Sequence, residues 1–468
     1  MSGDDRPNIL FIMSDDHAAH AIGCYGSRIN ETPNMDRIAE EGVRFDNCFC
    51  TNSICTPSRA TILTGKHSHM NGVLTLRSDF NRDQQHVGKL LQRAGYETAV
   101  IGKWHLHTQP SGFDYYNVLP GQGLYHDPLL KEKGKEWQDH NRGGERYEGY
   151  VTDLITDLSL DWIRNRDDRR PFFLCCHHKA PHRHWEPDGK HAHMYEDEEI
   201  PRPETFDDDY RNRASAAARA RMRVERDLNE DDLKRDPPEG LSGWDLKNWK
   251  YQRYIKDYLR CIASVDDNVG RMLDYLEETD LLDETVVIYT SDQGFFLGDH
   301  GWFDKRFMYE ESLRMPFIVR YPMEIESGTV NDDIALNLDF AETFLDYAGA
   351  EVPADMQGRS LRPLFRGQTP DDWRDHMYYR YWMHLSHHHV CAHYGLRTGR
   401  YKLIYYYGEA LGAEGAVDEP TEPEWELFDL ERDPLEMNSV YDDTGYSEVL
   451  GELKGKLKRA KDEARDTR

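Results

Sequence analysis

The chain has 468 residues, too many for one ordinary hydrophobic core, so one large domain with a smaller companion is expected. With 38% apolar and 12% aromatic residues it can fill a core, which excludes global disorder. The formal charge is −28, from 58 basic and 86 acidic side chains, and no basic stripe is visible, which argues against nucleic acid as a partner.

Arginine outnumbers lysine, 40 to 18. An acid-rich, lysine-poor surface suits high salt, and it equally suits plain solvation. Met1–Arg6 lacks the basic and apolar regions of an export signal. No apolar run approaches the roughly 18 residues of a membrane span. The expectation is therefore a soluble protein, cytoplasmic as encoded, although a removed signal would leave the same sequence. Nothing in the sequence speaks to oligomeric state. The eight cysteines include no C-x-x-C pair, so a structural zinc site is not expected and most should be reduced core residues.

In chain order, Asn8–Met13 reads as a short buried strand. Thr32 and Pro33 open a helix as N-cap and first helical residue, and Gly42 ends it. Cys55–Thr64 reads as a helix with Pro57 in its first turn and Gly65 at its end. Val87–Ala94 is a helix closed by Gly95, followed by a strand at Thr98–Ile101. Pro171–Cys175 is another strand. The segment from about Glu196 to Gly240 is dense in charge and reads as a partly helical surface insertion. A long helix fills much of Asp245–Glu278, with Tyr254, Tyr258, Ile262, Val265, Val269 and Met272 on one face. Strands follow at Thr285–Tyr289 and Pro316–Val319. Past Arg366 the pattern becomes antiparallel, with strands at His376–Trp382, Tyr401–Tyr407 and Glu424–Leu430 and a closing helix at Ser447–Arg465. The fold class is α/β: residues 1–365 form a large sheet with flanking helices, and residues 366–468 a small sheet-plus-helix unit.

Four of the strands end in clusters of charged or metal-capable side chains: Ser14-Asp15-Asp16-His17, Gly102-Lys103-Trp104-His105, His177-His178-Lys179-Ala180-Pro181-His182, and Ser291-Asp292-Gln293-Gly294. In α/β sheets ligands bind beyond the carboxyl ends of the strands, so the four should converge. Asp15, Asp16, Asp292 and the Gln293 amide form a hard oxygen donor set for Ca²⁺ or Mg²⁺. Lys103 and Lys305 can clamp an anion, and His105 and His182 can move protons. Cys55 lies at a helix N-terminus, which favours negative charge, with Arg59 on the same face. The inventory describes hydrolysis of an anionic ester, phosphate or sulfate.

The run Cys55-Thr56-Pro57-Ser58-Arg59 with Leu63-Thr64-Gly65 resembles the type I, formylglycine-dependent sulfatase signature. Chance would give a C-x-P-x-R pattern about 0.03 times in this composition. Ser291–Pro322 and the late Trp425-Glu426-Leu427-Phe428-Asp429-Leu430 with Asp433-Pro434 resemble bacterial carbohydrate sulfatases, and the resemblance runs from Asn8 to about Tyr441. It implies an alkaline-phosphatase-like fold and oxidation of Cys55 to formylglycine by a maturation enzyme. The hydrated aldehyde would attack sulfur and also ligate the metal, with Arg59 stabilising it. Lys103 and Lys305 would bind sulfate oxygens, His182 would protonate the departing sugar oxygen, and His105 would help expel sulfate from the covalent intermediate. The implied substrate is a sulfated mono- or oligosaccharide, and because a net charge of −28 should repel a long polyanion, action at a chain end is expected.

Asp15-Asp16 alone could be a solvated turn, and the two lysines alone ordinary surface residues; the four clusters in register weigh against both. Of His177 and His178, one should support the pocket and the other pack beneath it. His184, Trp185, Trp382, His393 and Arg397 are candidate substrate contacts, although aromatic residues are as common in cores. Of His384, His387, His388, His389 and His393, one or two should line the substrate cleft beside Tyr381, Trp382 and Arg397 and the rest be structural, with a second metal site as the alternative. The rival functions are a phosphate or phosphonate monoester hydrolase on the same fold and a non-catalytic binder of sulfated sugar.

Overall fold

The structure is a computed structural model that describes residues 6–468; the Met1–Asp5 part of the export-signal reading lies outside the described residues. A ten-stranded mixed sheet organises the larger part of the chain. Its central strand, Asn8–Ser14, is buried along its whole length because both faces are covered, which is why it shows no polar alternation. It pairs in parallel with Phe172–His177 on one side and Thr285–Ser291 on the other. Glu97–Lys103 continues the parallel set beyond Phe172–His177.

The register positions the chemistry. Ser14 lies opposite Ser291, Met13 opposite His177, and Gly102 opposite His177. The four motif-bearing strands therefore end level with one another, and the residues after them emerge at one edge. The helix Gly243–Glu278, about 54 Å long at 1.5 Å per residue, packs beside this edge. From its buried face Tyr258 donates a hydrogen bond to the Asp16 carbonyl at 2.7 Å and accepts one from the Ala18 amide at 2.9 Å.

Four strands, His376–Tyr381, His393–Thr398, Tyr401–Tyr406 and Glu424–Asp429, form a separate antiparallel sheet in sequence order. Its two faces follow the two-residue period of a strand. Met377, Tyr379 and Tyr381 join the main core. Tyr378, Leu396, Leu403 and Leu427 face Leu453, Leu457 and Ala460 of the closing helix Ser447–Glu463. The strand His393–Thr398 is absent from the sequence reading. Its polar residues hid it, and its Arg397 is buried against Glu310 at 3.2 Å.

The charged insertion is less superficial than its composition suggests. Phe206, Tyr210, Met222, Val224 and Leu228 are buried, and the Ala214 amide donates to Glu426 of the small sheet at 2.8 Å. A few well-placed apolar side chains anchor a segment whose remaining residues stay solvated. No helix among the described residues is long and apolar enough to cross a membrane, and all eight cysteines are free.

Candidate active site at the carboxyl edge of the sheet

Five residues around this edge hold left-handed backbone: Asp16 (φ 69°), His105 (52°), Asp304 (79°), Arg306 (98°) and His388 (59°). Non-glycine residues adopt this conformation at a cost, and such strain concentrates at functional sites. At Asp16 it is held by the Tyr258 hydroxyl on its carbonyl and by the Asp292 carboxylate, which accepts from the Asp16 amide at 3.2 Å.

Cys55 opens the helix Cys55–Thr64, which Gly65 ends in the left-handed conformation. A Cβ at Gly65 would stand 2.5 Å from the Glu342 carboxylate, so the position requires glycine on both counts. Arg59, one turn in, ties this helix to two strands. Its Nε donates to Asp292 at 2.9 Å and its Nη1 to the Lys103 carbonyl at 2.7 Å, while Nη2 has no hydrogen-bond partner and stands 3.9 Å from Asp15. Burial pushes the Cys55 thiol up to about 11, with Lys305 pulling the other way. A thiol used as a nucleophile needs a lowered pKa. Burial thus favours the protonated thiol here.

Asp15, Asp16 and Asp292 are completely buried together. Lys103 forms an ion pair with Asp15, and Lys305 contacts both Asp16 oxygens at 2.6 Å. Arg59, Lys103 and Lys305 thus balance the three carboxylates charge for charge. Burial pushes Asp16 up to about 6 despite Lys305. Burial works against the charge on Lys305, but Asp16 and Asp304 more than offset it and raise its pKa; burial holds Lys103 well below the usual lysine range. Asp15 Oδ1 and Gln293 Oε1 are buried without a hydrogen-bond partner, and an oxygen of Asp15, an oxygen of Asp16 and a ring nitrogen of His182 lie within 4.8 Å of one another. Orphaned buried oxygen donors around three carboxylates fit a hard divalent cation, which would leave a surplus of two positive charges for an anionic ester.

His182 donates from Nδ1 to the Arg183 carbonyl at 2.7 Å, and its Nε2 points toward Asp16, 3.8 Å away. Lys179 donates to the same carbonyl at 3.3 Å and lies 4.5 Å from the centre of the Tyr125 ring, whose hydroxyl bonds the His182 carbonyl. Burial, then Lys103, Lys305 and Lys179, hold His182 well below the usual histidine range. Burial and Lys103 do the same to His105, whose Nδ1 is 3.4 Å from Thr56 Oγ1. His177 bonds the Lys103 carbonyl at 3.2 Å and supports the pocket, while His178 contacts Cys176 beneath it.

The structure thus brings Cys55, Arg59, Lys103, His105, His182, Lys305, Asp15, Asp16, Asp292 and Gln293 to one edge. The proposed substrate contacts fare differently. Trp185 is buried against Tyr254 and Phe295. Trp382 is covered by Arg380, 3.6 Å from its ring. His393 is enclosed by Phe307, Tyr379, Tyr381 and Tyr406, and Arg397 is sealed against Phe49 and Glu310. These four are buried among other side chains. His184 alone stays partly exposed, 3.1 Å from Asp232. The histidine cluster also disperses: His384 bonds the Glu419 carbonyl and the Ala392 amide, and the metal-capable group found among the described residues is Asp15, Asp16 and His182.

Sequence reasoning missed Asp304, Arg306 and Gln122, and it named Lys179 and His388 only as members of their clusters without a role at this site. His388 meets Asp304 at 3.1 Å, Arg306 meets it at 3.2 Å with Nη1 left unpartnered, and Lys103 contacts Gln122. A signal existed: Asp304-Lys305-Arg306 places three charges inside an otherwise apolar run from Trp302 to Met308. Buried charge there calls for a partner or a ligand.

Comparison with known proteins adds an independent line. The family described as Sulfatase matches residues 7–350, and that described as N-sulphoglucosamine sulphohydrolase, C-terminal, matches 298–463. An N-acetylglucosamine-6-O-sulfatase of Bacteroides thetaiotaomicron is 44% identical over 98% of this chain and 87% of its own length. An arylsulfatase of Clostridium perfringens is 26% identical over 96% and 93%. A solved structure of a protein bound to its substrate, D-glucosamine-2-N,6-O-disulfate, superposes with a TM-score of 0.92 at 44% identity, covering 99% of both chains. A phosphonate monoester hydrolase from Silicibacter pomeroyi shares the fold, with a TM-score of 0.75 at 20% identity over 99% and 96% of the two chains.

Proposed function

The chain belongs to the sulfatase family, and we propose that the ester it hydrolyses is the 6-O-sulfate of a glucosamine-type sugar. The observation that carries this reading is the near-complete correspondence with a 6-O-sulfatase, 44% identical over 98% of the chain, joined to the charge-balanced site around Cys55. The shared fold of phosphonate hydrolases does not weigh against it, because fold alone does not choose the chemistry.

Formylglycine made from Cys55 by a maturation enzyme would supply a hydroxyl nucleophile where burial favours the protonated thiol. A divalent cation, Ca²⁺ with Mg²⁺ as the alternative, would be held by Asp15, Asp16, Asp292 and Gln293 beside residue 55 and would stabilise charge on the sulfuryl oxygens.

The remaining roles fall to the chain's own side chains. Arg59, fixed by Asp292 and the Lys103 carbonyl, keeps an unpartnered N–H for an oxyanion. Lys103 and Lys305 exchange their carboxylate contacts for sulfate oxygens. His182 holds its Nδ1 proton on the Arg183 carbonyl, so Nε2 is the atom that delivers a proton to the leaving sugar oxygen. The sulfate's negative charge offsets the ammonium groups that otherwise discourage protonation there. His105, kept neutral by burial and Lys103, is suited to accept a proton from the group at position 55. Attack occurs at a chain end, because the reacting groups lie buried at the sheet edge.

The test is sulfate release by matured protein from glucosamine 6-sulfate, N-acetylglucosamine 6-sulfate, glucosamine 2-N-sulfate and N-acetylgalactosamine 6-sulfate, with aryl phosphate and phosphonate monoesters alongside. Release from the two glucosamine-type 6-sulfates is expected. Release confined to the 2-N-sulfate, or faster turnover of phosphonate than of any sulfate, would overturn the reading.

A further inference from the structure

We propose that a cavity on the outer face of the Gly243–Glu278 helix is a second anion site, holding the sulfate or carboxylate of a sugar unit other than the one being desulfated. The assignment rests on the sulfated-carbohydrate reading and extends it to longer substrates. The cavity encloses about 350 Å³, within the range of pre-formed small-molecule sites. Trp249, Arg253, Lys256 and Arg260 follow one another at three- and four-residue spacing, so a single helix face presents them. Arg235 closes the cavity from the segment after the short helix Glu230–Leu233.

Charge is the first argument. Four cations line this cavity in a chain of formal charge −28. The carboxylate in the lining, Glu196, is engaged by His193 at 3.0 Å. Buried Asp257 is shared by Arg253, Arg260 and Lys234 at 2.8, 2.9 and 2.8 Å, one negative charge against three positive. Arg235 and Lys256 have no ion-pair partner among the described residues, and Lys256 meets only the Glu196 carbonyl, at 3.4 Å. Burial, with the neighbouring Arg260, lowers the Lys256 pKa, while Glu198, Asp197 and Glu199 act in the opposite direction. Half-buried Trp249 adds an aromatic wall with the Arg235 guanidinium 6.0 Å from its ring centre, a surface on which the apolar face of a sugar can stack.

Position is the second argument. The short helix Glu230–Leu233 is bonded on one side to the residues that follow His182, with Asp232 accepting from Arg183 at 3.0 Å and lying 3.1 Å from His184. On the other side the Leu233 carbonyl accepts from Arg253 at 3.0 Å. The long helix stands between the cavity and the catalytic edge, since Tyr258, on the face opposite Arg253, Lys256 and Arg260, bonds the Asp16 carbonyl. A single sulfate cannot occupy both places, whereas a saccharide of several units can. A shallow depression sharing His184 with the catalytic rim and Arg235 with the cavity lies between them. Its four carboxylates, Glu186, Glu230, Asp231 and Asp236, outnumber Lys234 and Arg235, a balance that disfavours sulfate there and suits an uncharged or amino sugar.

The test uses the full chain with charge reversal at the two unpaired cations, Arg235→Glu with Lys256→Glu. The control, Lys458→Glu with Arg459→Glu, makes the same change in net charge on the exposed face of the closing helix. Binding of a fluorescein-labelled heparin-derived tetrasaccharide is read by anisotropy, binding of sodium sulfate by thermal shift, and turnover on glucosamine 6-sulfate. The expected result is tetrasaccharide affinity about tenfold weaker in the cavity variant than in the control, with monosaccharide turnover unchanged. Equal tetrasaccharide affinity in the two variants would overturn the proposal. So would loss of sodium sulfate binding alone, which would make the cavity a site for the free ion. If no sugar is desulfated but the cavity variant still loses the tetrasaccharide, the site stands and the substrate assignment falls.

Discussion

Replacing His182 with alanine separates proton delivery from the rest of the chemistry. The side chain is only 8% exposed, its Nδ1 is committed to the Arg183 carbonyl, and Tyr125 and Lys179 brace the surrounding loop. Bulk water therefore has poor access to the position Nε2 occupies. General acid catalysis contributes about 10²–10⁴-fold, and a shielded site belongs in the upper half of that range, roughly 4–5.5 kcal/mol of barrier. A sugar alkoxide needs the proton, and a nitrophenolate needs it far less. His182→Ala should thus lower kcat/KM on glucosamine 6-sulfate by about 10³–10⁴-fold and on nitrophenyl sulfate by less than about tenfold. The pH profile supplies a second reading. Only protonated His182 donates, and burial with Lys103, Lys305 and Lys179 holds its pKa low, so kcat/KM on the sugar should fall as pH rises through that value. Lys179→Met removes one of those ammonium groups and should move the falling limb to higher pH. The assay is released sulfate by ion chromatography for the sugar and absorbance for the aryl ester, across pH 5–9. Equal losses on the two substrates, or a limb that moves to lower pH in Lys179→Met, would refute the assignment of His182 as the acid.

Asp292→Ala removes a carboxylate that orients Arg59 and the Asp16 amide, and should abolish both bound divalent metal, measured by mass spectrometry of the purified protein, and activity. Glu342 is buried with Oε2 unpartnered, and burial pushes its carboxyl up from 4.5 to about 8. Between those values the unfolded chain has lost a proton that the folded protein keeps, so stability falls with rising pH by up to about 1.4 kcal/mol per unit. In Glu342→Gln, denaturant titrations at pH 6 and pH 8 should differ less than in the wild type; an identical difference would exclude Glu342 as the source. Trp382→Ala should cost about 3–5 kcal/mol of unfolding free energy, the usual toll for an emptied aromatic site, and leave KM unchanged. A raised KM at full stability would return Trp382 to the substrate cleft.

The sequence by itself was enough for the parallel strands at the centre of the mixed sheet, the helix that carries Cys55, and the convergence of Asp15, Lys103, His182 and Asp292. The reason is local. A strand buried on both faces reads as an unbroken apolar run, and its carboxyl end is marked where that run breaks into charge. Residues adjacent in the motif are then placed together by strand register, as Ser14 opposite Ser291 shows. Tertiary structure alone decided matters that depend on contacts between distant segments. Trp185, Trp382 and His393 have the same composition whether they face a sugar or a core, and their burial is fixed by Tyr254, His69 and Tyr406, which reach them from other segments of the chain. The basic cavity was invisible for a related reason. Three of its cations lie on one helix at three- and four-residue spacing and the fourth lies in a separate segment, so no run of the sequence reads as basic, and the field exists only once the helix is formed and the 190–200 and 235 segments are laid across it.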